Sequence, residues 1–462
     1  MMTPSGPFVA RTLLLIVGAV CMACGPKTAP PSGLPTLYVD DLGDGATGVG
    51  TMTDPFRDLQ GALDAAPDGS TVVVQEGRYI AAVRQSIDPT CGNCDDDNFR
   101  RDIPITVGFE VAGKSVHLQG ADREATILET GAGYGLFFDG AGSSSVRTLT
   151  ITGGIRDADG QATDAGIVVR NTELLVQSVD VRGNNDLYEP GPGEEDPVVG
   201  VMGITGREGA RLTVVDSRIE NNSWDGVALY RSDPEQEDSQ VSALLVGNSI
   251  GCTEDCISPN GRGVGIGVTW DARAEVINNR VFGYWKGIGS FGDTEVQVYN
   301  NIVEDLHGWG IIAAGSSHME AVNNVVARCG NVGMAAWTST ATGRFANNIV
   351  IDNGHVDEWV GKQVGVWMNA DGVSLEYNDI WGNDGEDVCR GGSPGGAACS
   401  PIAFDGLEGN ISQDPLFAGQ ELYRLADGSP AIDAGDPELL DLDASRSDMG
   451  IHGGAEAERL SP

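Results

Sequence analysis

Residues 265–326 read Gly265-Ile266-Gly267-Val268, Asn278-Asn279-Arg280-Val281, Gly287-Ile288-Gly289-Ser290, Asn300-Asn301-Ile302-Val303, Gly310-Ile311-Ile312-Ala313 and Asn323-Asn324-Val325-Val326, with short stretches between these pieces. One unit returns every 22 or 23 residues: a glycine leading alternating apolar residues, then an asparagine thirteen positions on. Working outward, the glycine recurs at Gly108, Gly135, Gly166, Gly203 and Gly226 on one side and at Gly333 and Gly365 on the other. The polar member recurs at Asp216 and Asn378, and one place late at Asn347. Three residues further stands an apolar residue: Ile219, Val281, Val303, Val326, Val350 or Trp381. A repeat this short has too little apolar surface to fold alone, so successive copies must stack. Alternation with period two sends the residues one and three after each glycine to one side. Ile266, Ile288, Ile311, Met334 and Val366 are therefore expected to form one interior column. The asparagines are expected in a parallel column at a bend, where they tolerate left-handed backbone and bond coil to coil. Helices are excluded, because the glycines and Asn-Asn pairs interrupt every 3.6-residue pattern. What remains is an all-β coil of parallel strands, and about ten coils at roughly 4.8 Å each make a rod about 48 Å long.

The composition agrees. Of 462 residues, 66 are Gly and 40% are hydrophobic, too apolar for a disordered acidic chain. Glycine scattered through apolar sequence points to many tight turns between short strands. The formal charge of −39 repels nucleic acid and anionic membrane surfaces. Arg11 precedes a short apolar run, Leu13 to Val20, which is too short to span a bilayer and reads as a signal peptide over 1–23. The Pro-, Ser- and Gly-rich stretch after it, 24–35, reads as an extended tether. Export to an oxidising compartment makes local disulfides the expectation for the close pairs Cys91/Cys94, Cys252/Cys256 and Cys389/Cys399. Zinc or redox chemistry is the alternative, although Asp95, Asp96 and Asp97 beside Cys94 would raise a thiol's pKa, the wrong direction for a redox pair. Cys329 is left over and expected to be buried.

Two resemblances follow from these residues. Ala23-Cys24-Gly25 resembles the lipobox of bacterial lipoproteins, with Cys21 where that motif usually has Leu. The resemblance implies acylation of Cys24 and an outer-membrane lipoprotein facing the periplasm or the exterior. The repeats resemble the right-handed parallel β-helix proteins of the pectate-lyase-like superfamily. Residues 38–45 with Pro55-Phe56 and 59–63 resemble the N-terminal cap of bacterial extracellular members. Residues 414–417 and 428–435 resemble the C-terminal segment of lipoprotein-like members called choice-of-anchor. The implied division is an N-terminal cap and first strands over 36–106, repeats over 107–385 and a C-terminal cap over 386–462. The amphipathic run from Pro55 to Ala66, with Phe56, Leu59, Ala62 and Leu63 on one side, is expected as a helical lid, needed because open strand edges recruit other chains. Asp433, Asp436, Asp441, Asp443 and Asp448 are expected to form turns. The chain is expected to be monomeric.

The superfamily includes lyases, hydrolases, epimerases and adhesins, so fold does not settle activity. Its lyases rely on a basic Lys or Arg, and its polygalacturonase-type hydrolases on a set of motifs. Asn171-Thr172-Glu173 and Arg218-Ile219-Glu220 match that set only in fragments. Residues two and four after the glycines point outward, and they include Phe137, Tyr230, Phe291, Trp337 and Trp367, with Trp270 one place further. Such aromatics are either a platform for sugar rings or a core under loops that fold over the sheet. Asp271 and Asp293 sit on adjacent coils. They are either an acid/base or Ca²⁺-binding pair or simply bend residues. Insertions at 153–165, 186–200, 251–262 and 352–363 either wall a groove or decorate the surface. Three functions remain open: a polysaccharide-binding surface protein, a glycoside hydrolase or lyase on the same groove, and a structural surface protein.

Overall fold

In the computed structural model the described residues are 35–41, 48–157, 163–185, 200–253, 263–356, 363–392, 399–419 and 421–457. The signal segment, the tether with Cys24, Cys256 and most of the four insertions lie outside them. The chain from Pro35 onward forms a right-handed parallel β-helix. Each coil runs through three faces. The first carries the glycine strands, such as Val264–Trp270, Lys286–Gly292 and Trp309–Gly315. The second carries Arg273–Ile277, Glu295–Tyr299 and His318–Val322. The third carries the three-residue strands Arg280–Phe282, Ile302–Glu304 and Val325–Ala327. The third face is an 11-stranded sheet. The other two faces join as one 23-stranded sheet, because Tyr134–Arg147 and Ala165–Gln177 run unbroken around the corner between them.

The expected interior column is present and longer than its five members. Register pairs Val227 with Ile266, then Ile288, Ile311, Met334, Val366 and Val388, coil upon coil. Upstream it continues through Ile204, Ile167 and Leu136 to Phe109. All of these side chains are buried. The recurring glycine has a different cause from turns. A Cβ on Gly265 would stand 2.3 Å from Val281 Cγ1, and one on Gly287 2.6 Å from Val303 Cγ1. The first face crosses the inward valines of the third at that point, and only glycine fits.

The polar bend contains two columns where one was expected. The first residue of each pair takes left-handed backbone: Asp216, Asn278, Asn300, Asn323 and Asn347 have φ between 49° and 58°. The second makes the ladder. Oδ1 of Asn301 accepts from N and Nδ2 of Asn279, while its own N and Nδ2 donate to Asn324 Oδ1 at 2.9 and 3.0 Å. The same pattern links Asn248 to Asn279, Asn324 to Asn348, Asn348 to Asn378 and Asn378 to Asn410. Asn378 thus belongs to the second column, and Tyr377, with φ 54°, fills the first position of its coil. In consequence Ile380, not Trp381, pairs with Val350 in the interior, and Trp381 stays exposed.

Both ends are closed. The helix Leu59–Ala65, shorter than the expected lid, is capped by Asp58 and turns Leu59, Ala62 and Leu63 inward. Gln60 bonds both the N–H and the C=O of Glu110, sealing an open strand edge. At the far end Glu386–Arg390 is still a first-face strand. Ser400–Pro401 pairs antiparallel with it, Ile402 and Phe404 pack on the core, and Asn410 ends the ladder. Beyond this closure the last segment runs as a strap along the side. Asn347 Oδ1 accepts from Asp436 N, Asn323 Nδ2 donates to Asp448 O, Asn300 Nδ2 to Ile451 O, and Asn278 Nδ2 to Glu456 O. The left-handed asparagines, which point outward, hold it against the third face. Asp436, Asp441, Asp443 and Asp448 each accept backbone N–H bonds within the strap, as turn-forming residues do. Among the described residues no helix is long and apolar enough to cross a membrane.

Candidate functional site

The outer side of the first face is divided into three zones by what covers it. Over the early coils an excursion between Arg84–Asp88 and Ile103–Ala112 folds back across the sheet, pinned by the Cys91–Cys94 disulfide. Under it lies Arg207, 1% exposed, bonded to Asp88 Oδ2, Glu208 Oε2, Tyr134 OH, Thr163 Oγ1 and the Thr90 carbonyl. Arg170 takes the other Asp88 oxygen at 2.7 Å. Burial opposes charge on Asp88, but Arg207 and Arg170 outweigh it and hold the carboxyl below its usual range. This network fastens the cover. Phe137 and Tyr230 are buried beneath it, at 5% and 4% exposure, and the Tyr230 OH lies 3.3 Å from Met202 Sδ.

Over the late coils the covering is aromatic. Trp309 packs against Trp337 with ring centroids 4.8 Å apart and against Trp367 at 5.7 Å, and the Cys389–Cys399 disulfide closes beside them. Trp367 is wholly buried and donates from Nε1 to Gly391 O. Tyr230 and Trp367 therefore offer no face to a ligand, and for these two of the five residues expected to bind one the reading as a covered core holds. Alternation aims them outward, but distant segments lie on top.

Between the two covered zones, around coils 264–292, stand the half-buried Trp224 and Trp270, packed on the early cluster, and Phe291, Trp285 and Trp337, packed on the late one. Trp270 is distinctive. Its φ is +60°, a conformation costly for a bulky residue, whereas its register partners on the next two coils are Gly292 and Gly315. Arg231 stacks on its ring at 4.7 Å, and its Nε1 donates to Asn93 Oδ1 at 3.4 Å. Arg231 is held in turn by the Cys94 carbonyl and by Asp96. The ammonium of Lys286 lies 5.4 Å above the Phe291 ring.

Asp225, overlooked in the sequence, stands in the same zone at 7% exposure, its Oδ1 accepting from Val264 N at 2.7 Å. Burial pushes its carboxyl up to about 7, against the Val264 amide and the Lys286 ammonium, which favour its charge. The available signal was its place directly before Gly226, at the level of the outward residues Val264 and Lys286.

The other expected residues behave as bend formers. Both Asp271 oxygens bond Ser232, Oδ1 through the backbone N at 2.9 Å and Oδ2 through the hydroxyl. Asp293 is exposed, and Asp371, which like them stands six residues after a recurring glycine, pairs with Arg390. The geometry favours bend residues over a working acid/base pair. No three Asp, Glu, His or Cys side chains among the described residues converge on a metal position. The disulfides Cys91–Cys94 and Cys389–Cys399 are formed, Cys252 is disulfide-bonded, and Cys329 is buried and free. A separate cavity of about 570 Å³ opens at the corner between third and first faces, beside Asp305, His307, Arg328, Asp352, His355 and Asp384. No Trp, Tyr or Phe is among its described lining residues, and Glu304 and Asp305 already neutralise its arginine.

Residues 203–380 match the family described as the right-handed beta helix region. No curated protein sequence matches the chain. Among solved structures the chain is similar to the pectate lyase Pel9A (14% identity, 91% of this chain and 97% of that one, TM-score 0.42). It is similar also to the periplasmic alginate epimerase AlgG (11%, 73% and 80%, 0.39). A third is the GH136 lacto-N-biosidase from Eubacterium ramulus (12%, 82% and 67%, 0.42). These likenesses transfer no residue role.

The raised carboxyl of Asp225 has a stability consequence. A buried acid titrating near 7 when folded and near 3.9 when unfolded stabilises the fold most below pH 3.9 and loses that contribution as pH rises through 7. Asp225→Asn keeps the acceptor for Val264 N and removes the titration. Urea midpoints at pH 5 and pH 8 should show the variant gaining about 2 kcal/mol on the wild type across that interval. A pH-independent difference would mean that Asp225 ionises normally.

Proposed function

We propose that this is a lipid-anchored, extracytoplasmic glycan-binding protein that holds a polysaccharide on the open middle zone of the first face, against Trp270 and Phe291. Trp270 carries the reading. The coil does not need tryptophan there, since the next two coils use glycine, and the left-handed backbone costs on the order of 1 kcal/mol. The side chain is nevertheless braced by Arg231 and Asn93 and left half-exposed. A rigid indole with an available face suits the apolar face of a pyranose ring, and Phe291 on the next coil adds a second ring. The net charge of −39 favours a neutral polymer over a polyanion. The anchor rests on Ala23-Cys24-Gly25 and the Pro-rich stretch that follows.

On a glycan array, Trp270→Ala and Phe291→Ala should each lower binding at least tenfold. Trp270→Gly should lose binding equally while unfolding no more easily than the wild type, because glycine relieves the backbone. Full binding by all three folded variants would remove the reading. The anchor has its own check in detergent-phase partitioning of the expressed chain. Wild type should enter the detergent phase and Cys24→Ser the aqueous phase; an aqueous wild type would contradict acylation.

A further inference from the structure

The column two residues after the recurring glycine is filled on most coils, by Ala228 before the open zone and by Ile312 and Ala335 after it. Two successive coils between them carry Gly267 and Gly289. At Gly289 the missing side chain is replaced by a neighbour: a Cβ there would lie 2.3 Å from Phe291 Cε2. At Gly267 no described residue replaces it. The nearest atoms to a Cβ would be Asp225 Oδ2 at 3.5 Å and Val264 Cβ at 3.8 Å, ordinary contact distances. Its φ lies outside the positive region that calls for glycine, and no described neighbour stands close enough to forbid a Cβ. Gly265, two residues earlier, is glycine because a Cβ would strike Val281. Gly267 has no such reason.

The space above Gly267 is not apolar. Asp225 is nine-tenths buried, and only its Oδ1 accepts a hydrogen bond among the described residues; Oδ2 faces the space with no donor. A ligand hydroxyl would give that oxygen the donor it lacks. A gap left by one missing side chain suits one exocyclic group of a ring lying on Phe291 or Trp270, not a whole ring.

We propose that the gap between Gly267 and Asp225 is a specificity subsite that receives the hydroxymethyl group of a neutral hexose, whose hydroxyl donates to Asp225 Oδ2. This rests on the reading of the middle zone as a glycan surface and adds the class of sugar. Hexoses carrying that group are held, and pentoses lacking it lose both the buried contact and the hydrogen bond.

The probes are neutral hexasaccharides of glucose, mannose, galactose and xylose, measured by calorimetry against wild type, Gly267→Ala, Gly267→Leu, Asp225→Asn and Trp270→Ala. At least one hexose oligomer should bind wild type at least tenfold more tightly than the xylose oligomer. Gly267→Leu, which fills the gap, should remove that preference and leave the unfolding midpoint unchanged; Gly267→Ala, the smaller change, should remove part of it. Asp225→Asn should weaken hexose binding and leave xylose binding as it was. A folded Gly267→Ala and Gly267→Leu pair that still prefers hexose, while Trp270→Ala has lost binding, would overturn the subsite and leave the glycan surface standing. Equal binding of xylose and hexose oligomers would do the same. Failure of wild type to bind any of the four would overturn both.

Discussion

The structure depends on the asparagine ladder at the bend between the second and third faces. Each amide in it is buried. Each is satisfied only if the next coil presents its own asparagine one strand spacing away, because Oδ1 serves two donors of the coil before and Nδ2 serves the coil after. Slippage of a strand by one residue would leave several buried groups without partners and turn the inward column out to solvent. Hydrogen bonding and apolar burial therefore select the same register. Hydrophobic alternation alone would tolerate a slip by two residues, which the ladder does not.

Fixed register makes remote residues neighbours on the outer surface. Asp225, Val264 and Gly267 meet because coils carrying Gly226 and Gly265 stack directly, although 39 residues separate Asp225 from Val264. The covering segments use the same surface. The excursion fastened by Arg207 closes the early coils and the three tryptophans close the late ones, so a flat repetitive sheet becomes two sealed zones with a short zone between them that no described segment covers. Trp270 marks the boundary, since its brace, Arg231, is held by the carbonyl of Cys94 in the covering excursion.

Much of the fold was legible because stacking turns a period in sequence into a column in space. The interior series from Ile266 to Val366 follows from alternation alone. The errors come from what a period does not encode. Asn378 satisfied the count of thirteen yet sits in the ladder column, because Tyr377 can adopt the left-handed bend that asparagine takes elsewhere. Glycine looked like a turn residue, whereas at Gly265 and Gly287 the limit is space against an inward valine. The acidic C-terminal stretch was legible as turns, but its place along the side is set by outward asparagines that a sequence pattern cannot aim. In the site, parity put Tyr230, Phe291, Trp337 and Trp367 outside correctly. It could not say which would be covered, because the covers come from segments far away in the chain. Asp225 was missed because a lone acid before a glycine resembles any bend residue until its burial is known.

The central claim, that every coil lies in register upon the last, is open to one direct distance measurement. Glu275, Gln297, Glu320, Arg344 and Ser374 are successive partners on the second face, with Glu275 and Ser374 both exposed at its ends. Spin labels on Glu275→Cys and Ser374→Cys should give a single narrow dipolar distance consistent with four strand spacings, about 19 Å between backbones. A broad distribution, or a mean beyond about 30 Å, would show that these coils do not stack in register and would take the surface built on them with it.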